Sequence, residues 1–177
     1  MIKVLYSDDG VVMLRPLTMA DAEEHIAGQD DEYVTWLDDA EATEESVRAH
    51  LSDVEKSWEA EGPIYSFAIV ADGKLAGTIT AEVGREGLKD YQADIVYGLY
   101  PATRGRGIAT RAVMLVVSFL DQIPGISEAI TRVNPENPKS RSVAERAGFE
   151  PLTTAEAEGD ANDWLSTRVS LVPAEQR

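Results

Sequence analysis

No cysteine occurs anywhere in the 177 residues. Disulfides, thiolate metal sites and cysteine nucleophiles are therefore excluded, and a reducing cytoplasm is compatible with the chain. Basic residues are also scarce: 16 Lys and Arg stand against 32 Asp and Glu, a net charge of −16. A chain this acidic lacks the basic footprint that phosphate backbones require, which argues against nucleic acid as a partner. Long apolar runs are missing too. Residues 1–6 give way at once to Ser7-Asp8-Asp9-Gly10, too short for a secretory signal, and no other run is long enough to span a membrane. The expectation is a cytoplasmic protein that does not use a membrane. The two histidines, His25 and His50, lie in an acidic helical region with no third ligand at metal spacing. Both read as surface residues, and no metal is expected.

What is present suffices for one core. With 44% hydrophobic residues and this length, the chain reads as a single domain over 1–177. Its charge is uneven. Residues 21–61 hold 15 acids against 2 bases, whereas residues 84–149 hold 7 acids against 9 bases. This pattern is either a generic solvated face or a molecule with a cationic ligand at one end and an anionic one at the other.

Periodicity orders the elements. Residues 2–6 and 11–15 read as a hairpin across Asp9-Gly10, and Thr18 with Asp21 can cap a helix starting near Met19. A second helix follows Thr43, where Val47, Leu51, Val54 and Trp58 form one apolar stripe that Gly62-Pro63 ends. Strands are expected at 65–70 and 74–83, joined by Asp72-Gly73, and at 91–100, 129–133 and 164–172. A helix should run from 108 to 120, and a short one from Asn137-Pro138 to Gly148. The fold class is α+β, with a mixed central sheet of six to seven strands and about four helices.

Residues 100–110, Tyr-Pro-Ala-Thr-Arg-Gly-Arg-Gly-Ile-Ala-Thr, carry the strongest chemical signal. Gly105 and Gly107 allow a sharp turn in which backbone N–H groups converge, and the helix behind adds its free N–H groups and dipole. The product is an anion site suited to a pyrophosphate, with Arg104 and Arg106 at its rim. A dinucleotide fingerprint fails because Thr110 holds the third glycine position, and no Gly-Lys-Ser/Thr ending marks a mononucleotide loop.

The stretch resembles the coenzyme A motif of the GNAT N-acetyltransferase superfamily, Gln/Arg-x-x-Gly-x-Gly/Ala, met by Arg104, Gly107 and Ala109. Ala93-Asp94-Ile95-Val96-Tyr97-Gly98-Leu99-Tyr100-Pro101 resembles the strand that precedes that loop, and Asn137 to Ser140 with Gly148-Phe149 resembles the helix that follows. A serine three residues after the asparagine is similar to the bacterial ribosomal-protein N-terminal acetyltransferase branch.

The resemblance implies acetyl-CoA as acyl donor and a primary amine as acceptor. It implies cofactor contacts at Tyr97, Leu99, Arg104, Gly105, Arg106, Gly107, Ile108, Ala109, Thr110 and Asn137. The Leu99 N–H becomes the oxyanion donor. Asp94 is either the base, directly or through water, or a plain strand residue. Ser140 is either the group beside the departing thiolate or a first-turn residue bonding a local N–H. Gly98 replaces a customary tryptophan, which implies a larger or reshaped acceptor pocket. The helices at 19–28 and 44–60 should wall the acceptor groove, with Trp36, Asp38 and Asp39 as a lip for a cationic amine. The acceptor is then a protein N-terminus or a basic small molecule such as an aminoglycoside or polyamine, and the protein a monomer or homodimer. The rival reading is an acetyl-CoA-binding sensor or partner domain without turnover.

Overall fold

The computed structural model describes residues 4–37, 43–152 and 165–171. Its strands are β1 (Leu5–Tyr6), β2 (Val12–Pro16), β3 (Ile64–Ala71), β4 (Lys74–Val83), β5 (Gln92–Leu99), β6 (Glu128–Val133), β7 (Glu150–Pro151) and β8 (Leu165–Ser170). They form one sheet in the order β1-β2-β3-β4-β5-β6-β8-β7, in which β5–β6 is the parallel pair and the other neighbours run antiparallel. The helices are α1 (Ala22–Gly28), α2 (Asp31–Leu37), α3 (Glu44–Glu59), α4 (Ile108–Leu120) and α5 (Pro138–Arg146). The α+β class and mixed sheet match the expectation. The described residues hold eight strands because two-residue pairings flank the longer ones, and five α-helices because α2 was not legible.

Local chemistry sets several boundaries. The Thr43 side chain accepts the Ser46 N–H at 3.1 Å and starts α3, whose Val47, Leu51 and Val54 are buried. The β3–β4 hairpin turns on Asp72 and Gly73 at φ 53° and 72°, the left-handed pair that Asp-Gly accommodates. At Thr18 the expected helix start is a 3-10 turn, Met19–Asp21, before α1 begins. The Asp30 side chain accepts the Tyr33 N–H at 2.9 Å and so opens α2 within a stretch too short to show a period.

The sheet is covered on both faces. One face packs α4 against Leu14, Phe67, Ile79 and Ile95, and the other packs α1, α2 and α3 around Leu17, Tyr33, Leu51 and Tyr100. Between β5 and β6 the sheet opens. Their ladder covers only Gln92–Asp94 against Glu128–Ile130, although both strands continue beyond it. The Thr131 hydroxyl still donates to the Ile95 carbonyl at 3.0 Å, and past that point the strands diverge.

Candidate functional site

The split between β5 and β6 is the floor of a cavity of about 840 Å³. It reaches both faces of the sheet. Glu32, Tyr33, Trp36 and Leu37 of α2 line one side, while the 104–110 loop, α4 and α5 line the other. Because the Ile95 carbonyl faces β6, alternation turns the N–H and C=O groups of Tyr97 and Leu99 toward the same gap.

At one end lies the glycine loop. Gly105 and Gly107 adopt φ 75° and 71°, and Gly107 is the N-cap of α4. A Cβ on Gly107 would stand 2.7 Å from Arg111 Nη1, the movable end of a long side chain, so it is the left-handed φ that favours glycine at this position. Gly105, Gly107, Ile108, Ala109 and Thr110 all line the cavity here. This concavity of N–H groups at a helix start fits a pyrophosphate.

The two arginines of the loop are placed differently from the expectation. Arg104 lines the cavity, but its guanidinium donates to Asp30 at 2.7 and 2.8 Å, to Glu32 at 2.9 Å and, through Nε, to the Leu99 carbonyl at 3.1 Å. Hydrogen bonding to Arg104 holds the Asp30 carboxyl down at about 2. Glu32 also takes Lys139 Nζ at 2.9 Å, so one carboxylate ties the glycine loop to α5 across the cavity. Arg106 turns outward to Asp72 at 2.5 Å and does not line the cavity. Arg104 is thus already neutralised, and Arg106 stands off the rim.

Ser140 and Asn137 come together at the start of α5. The Asn137 side chain accepts the Ser140 N–H at 3.1 Å, an N-cap followed by Pro138 at the position that needs no donor. The Ser140 hydroxyl stands 3.0 Å from the Tyr97 hydroxyl, and both residues line the cavity. Burial pushes the Tyr97 phenol up, so it stays protonated at neutral pH. This side-chain pair spans 43 residues and left no signal in the sequence.

Asp94 is a correction. Its side chain is 2% exposed and paired with Arg85 in a short ion pair, with Arg132 Nη2 at 3.5 Å. It does not line the cavity, and a carboxylate committed to two guanidiniums behind the wall is not placed to take a substrate proton. At Gly98 the pocket is reshaped and not enlarged. A Cβ there would meet the Tyr33 ring at 2.5 Å and Leu37 Cδ1 at 2.8 Å. The missing indole therefore lets α2 press onto the strand. His25 is a second correction. It is 6% exposed, with Nδ1 at 2.6 Å from the Tyr100 hydroxyl, and burial pushes its pKa down to about 4; His50 is exposed as expected.

The acidic segment is also differently employed. Asp21 pairs with Arg15 and Glu24 accepts the Leu75 N–H at 3.1 Å, which anchors the start of α1 and its first turn to the sheet, while Glu55 accepts the Met19 N–H at 2.8 Å and ties α3 to the 3-10 turn. Among the described residues lining the cavity, Glu32 faces Arg85, Arg104, Arg132, Lys139 and Arg146. Trp36 lines the cavity. Asp38 and Asp39 lie outside the described residues. Among the described residues no group of three His, Asp or Glu is arranged to hold a metal, and no helix among them is long and apolar enough to cross a membrane.

Known proteins are similar to this chain in sequence and in fold. The chain is 31% identical over 147 residues to the "Probable N-acetyltransferase YjcK" of Bacillus subtilis (strain 168), covering 78% of this chain and 80% of that protein. The fold matches Mycobacterium smegmatis RimJ in complex with CoA-disulfide at a TM-score of 0.70 and 23% identity, over 99% of this chain and 88% of that one. It also matches the aminoglycoside acetyltransferase AAC(6')-Ib in complex with coenzyme A and kanamycin at a TM-score of 0.74 and 20% identity, over 90% and 94% of the two chains. Residues 12–150 match the family model described as "Acetyltransferase (GNAT) domain". That span holds the glycine loop, the split strands and the start of α5, and the chain belongs to the GNAT acetyltransferase family.

Proposed function

We propose that the protein transfers the acetyl group of acetyl-CoA to a primary amine. The observation that carries this reading is the cavity itself, which runs from an anion cradle through the split sheet to the opposite face. In this reading the N–H groups of the 105–110 loop hold the pyrophosphate, and Asn137 lies beside the entering chain. The backbone of Tyr97 and Leu99 pairs with the pantetheine amides, and the Leu99 N–H stabilises charge developing on the thioester oxygen. Ser140, in contact with the protonated Tyr97, hydrogen-bonds the departing thiolate and passes to it the proton that the acceptor nitrogen releases as the C–S bond breaks. Because a thiol has a pKa of about 8.5, the demand on that proton donor is small.

Deprotonation of the amine narrows the acceptor. With Asp94 committed to arginines and Glu32 held by Arg104 and Lys139, no described carboxylate in the cavity wall is placed as a base. An α-amine with a pKa near 8 is about a tenth neutral at pH 7, whereas an alkylamine near 10.4 is below about 0.1% neutral. The site therefore favours an α-amine, such as a peptide N-terminus or a small α-amino compound. The likeness of the fold to RimL, a ribosomal L7/L12 alpha-N-protein acetyltransferase, agrees with this choice, and the likeness to the aminoglycoside acetyltransferase AAC(6')-Ib makes a sugar amine the alternative to exclude. The deciding assay is release of coenzyme A thiol across a panel of α-amines, ε-amines, polyamines and aminoglycosides. Turnover confined to the last three classes overturns the α-amine assignment. Binding of acetyl-CoA with no turnover on any amine leaves a binding module instead.

A further inference from the structure

Past Ile95 and Thr131 the two strands of the split diverge, yet the chemistry proposed above draws on groups from both banks. The Leu99 N–H belongs to the β5 bank, and Ser140 belongs to α5, which follows β6. The contact between Tyr97 and Ser140, at 3.0 Å, reaches from one to the other. A second connection runs through Glu32, near the start of α2. Glu32 Oε2 accepts from Arg104 Nη1 at 2.9 Å, and Arg104 Nε donates to the Leu99 carbonyl at 3.1 Å. Glu32 Oε1 accepts from Lys139 Nζ at 2.9 Å, and Lys139 directly precedes Ser140 in the first turn of α5.

Glu32 does more here than neutralise charge. Arg104 is already met by both oxygens of Asp30, at 2.7 and 2.8 Å, so the glycine loop keeps a counter-ion without Glu32. What Glu32 adds is reach to the other bank. Its base is fixed, because α2 is seated on β5 where Tyr33 lies against Gly98. The Arg104 side chain is 22% exposed and that of Lys139 72% exposed, so the connection is firm at β5 and loose at α5. An ion pair as exposed as the one with Lys139 contributes little to stability. Its effect on geometry is another matter, since a reacting group displaced by about 1 Å costs up to roughly 10²-fold in rate.

We propose that Glu32 is a positioning residue: by holding Arg104 on one bank of the split and Lys139 on the other, it sets the spacing between the Leu99 backbone and Ser140. This rests on the transferase reading and adds to it a residue that touches neither substrate. A carboxylate suits the task because its two oxygens serve two cations at once. Glutamine offers a single acceptor oxygen, so in its place the Arg104 and Lys139 ends cannot both be held. The thioester lies between the two banks in this reading, and a change in their spacing alters the distance from the acetyl carbonyl to the Leu99 N–H and from the sulfur to Ser140.

The test separates geometry from stability and from direct contact, with thiol release on the best amine of the panel as the readout. Lys139→Met and Glu32→Gln should each lower kcat by roughly 10–10²-fold, with KM for both substrates changing less. Tm should stay within about 2 °C of the parent, and calorimetric affinity for acetyl-CoA should hold. Lys139→Arg keeps a cation at this position and should restore most of kcat. The double variant should be no slower than the slower single one, because both changes break the same link. Arg141→Met removes another cation of α5, one that pairs with Glu145 at 3.0 Å, and should leave kcat unchanged. Parental kcat in Lys139→Met or Glu32→Gln overturns the inference, and so do losses that multiply in the double variant or a matching loss in Arg141→Met. A rise in acceptor KM in Glu32→Gln that Lys139→Met does not share makes Glu32 an acceptor contact instead. Weaker acetyl-CoA binding in Lys139→Met makes that lysine a cofactor contact. Either result overturns the inference while the transferase reading stands, whereas no turnover by the parent on any amine overturns both.

Discussion

Substituting Gly98 by alanine adds one methyl group where α2 lies on β5. Its carbon would start 2.5 Å from Tyr33 Cε2 and 2.8 Å from Leu37 Cδ1, whereas unstrained carbon contacts sit at about 3.5–4.0 Å. Leu37 is half-buried and its Cδ1 ends a flexible side chain, so it can swing away. Tyr33 cannot. Its ring is 4% exposed, packs at 5.6 Å from Tyr100 and 5.9 Å from His25, and its hydroxyl bonds Thr78 Oγ1 at 2.6 Å. Relief therefore requires α2 to move out by roughly 1 Å, and such overpacking costs about 1–3 kcal/mol. For a domain of this size that lowers Tm by roughly 2–12 °C. Because Tyr33 and Trp36 line the acceptor side, KM for the acceptor should change while acetyl-CoA affinity holds. Tyr33→Ala removes the obstacle, so in that background Gly98→Ala should cost little, and the double-mutant cycle isolates the contact. Thermal unfolding and initial-rate kinetics make the measurement. A Gly98→Ala protein as stable as the parent, with unchanged acceptor KM, would show that α2 is not seated on β5 as described.

Three further outcomes are expected. Gly107→Glu should abolish acetyl-CoA binding in a folded protein, since a charged side chain enters the anion cradle at φ 71° and 2.7 Å from Arg111 Nη1; calorimetry with undiminished affinity refutes the cradle. Ser140→Ala should lower kcat by roughly 10²-fold, the low end for general acid catalysis because a thiolate asks little of its donor, with acetyl-CoA affinity little changed; a wild-type rate across pH 6–9 removes Ser140 from the chemistry. His25 has its pKa pushed from 6.5 to about 4 by burial, so the unfolded chain takes up the proton first as pH falls. Its contribution is complete above pH 6.5 and is lost on descent through about pH 4, on the order of 3 kcal/mol. Urea unfolding of His25→Gln against the parent should show a shallower fall between those limits, and parallel curves would mean that His25 titrates normally.

Local sequence was enough for whatever depends on near neighbours. The α4 boundaries, the Asp72-Gly73 hairpin, the Thr43 and Asn137 caps and the glycine loop follow from backbone preferences of a few adjacent residues, and these are written in the chain. So was the family, because its motifs are short and contiguous. The tertiary structure decided the partners of charged and polar groups. Asp30 and Arg104 are 74 residues apart, Tyr97 and Ser140 are 43 apart, and Arg132 and Asp94 are 38 apart. Nothing in the sequence pattern around any one of them names the other. The acids of 21–61 looked like a surface for a cation because a count of charge does not include their counter-ions. Once folded, Arg15, Arg104 and two backbone N–H groups take up several of them, and the cavity wall becomes basic. Gly98 shows the same limit for packing: the sequence records an absent side chain, but only the seating of α2 determines whether that absence is a pocket or a contact.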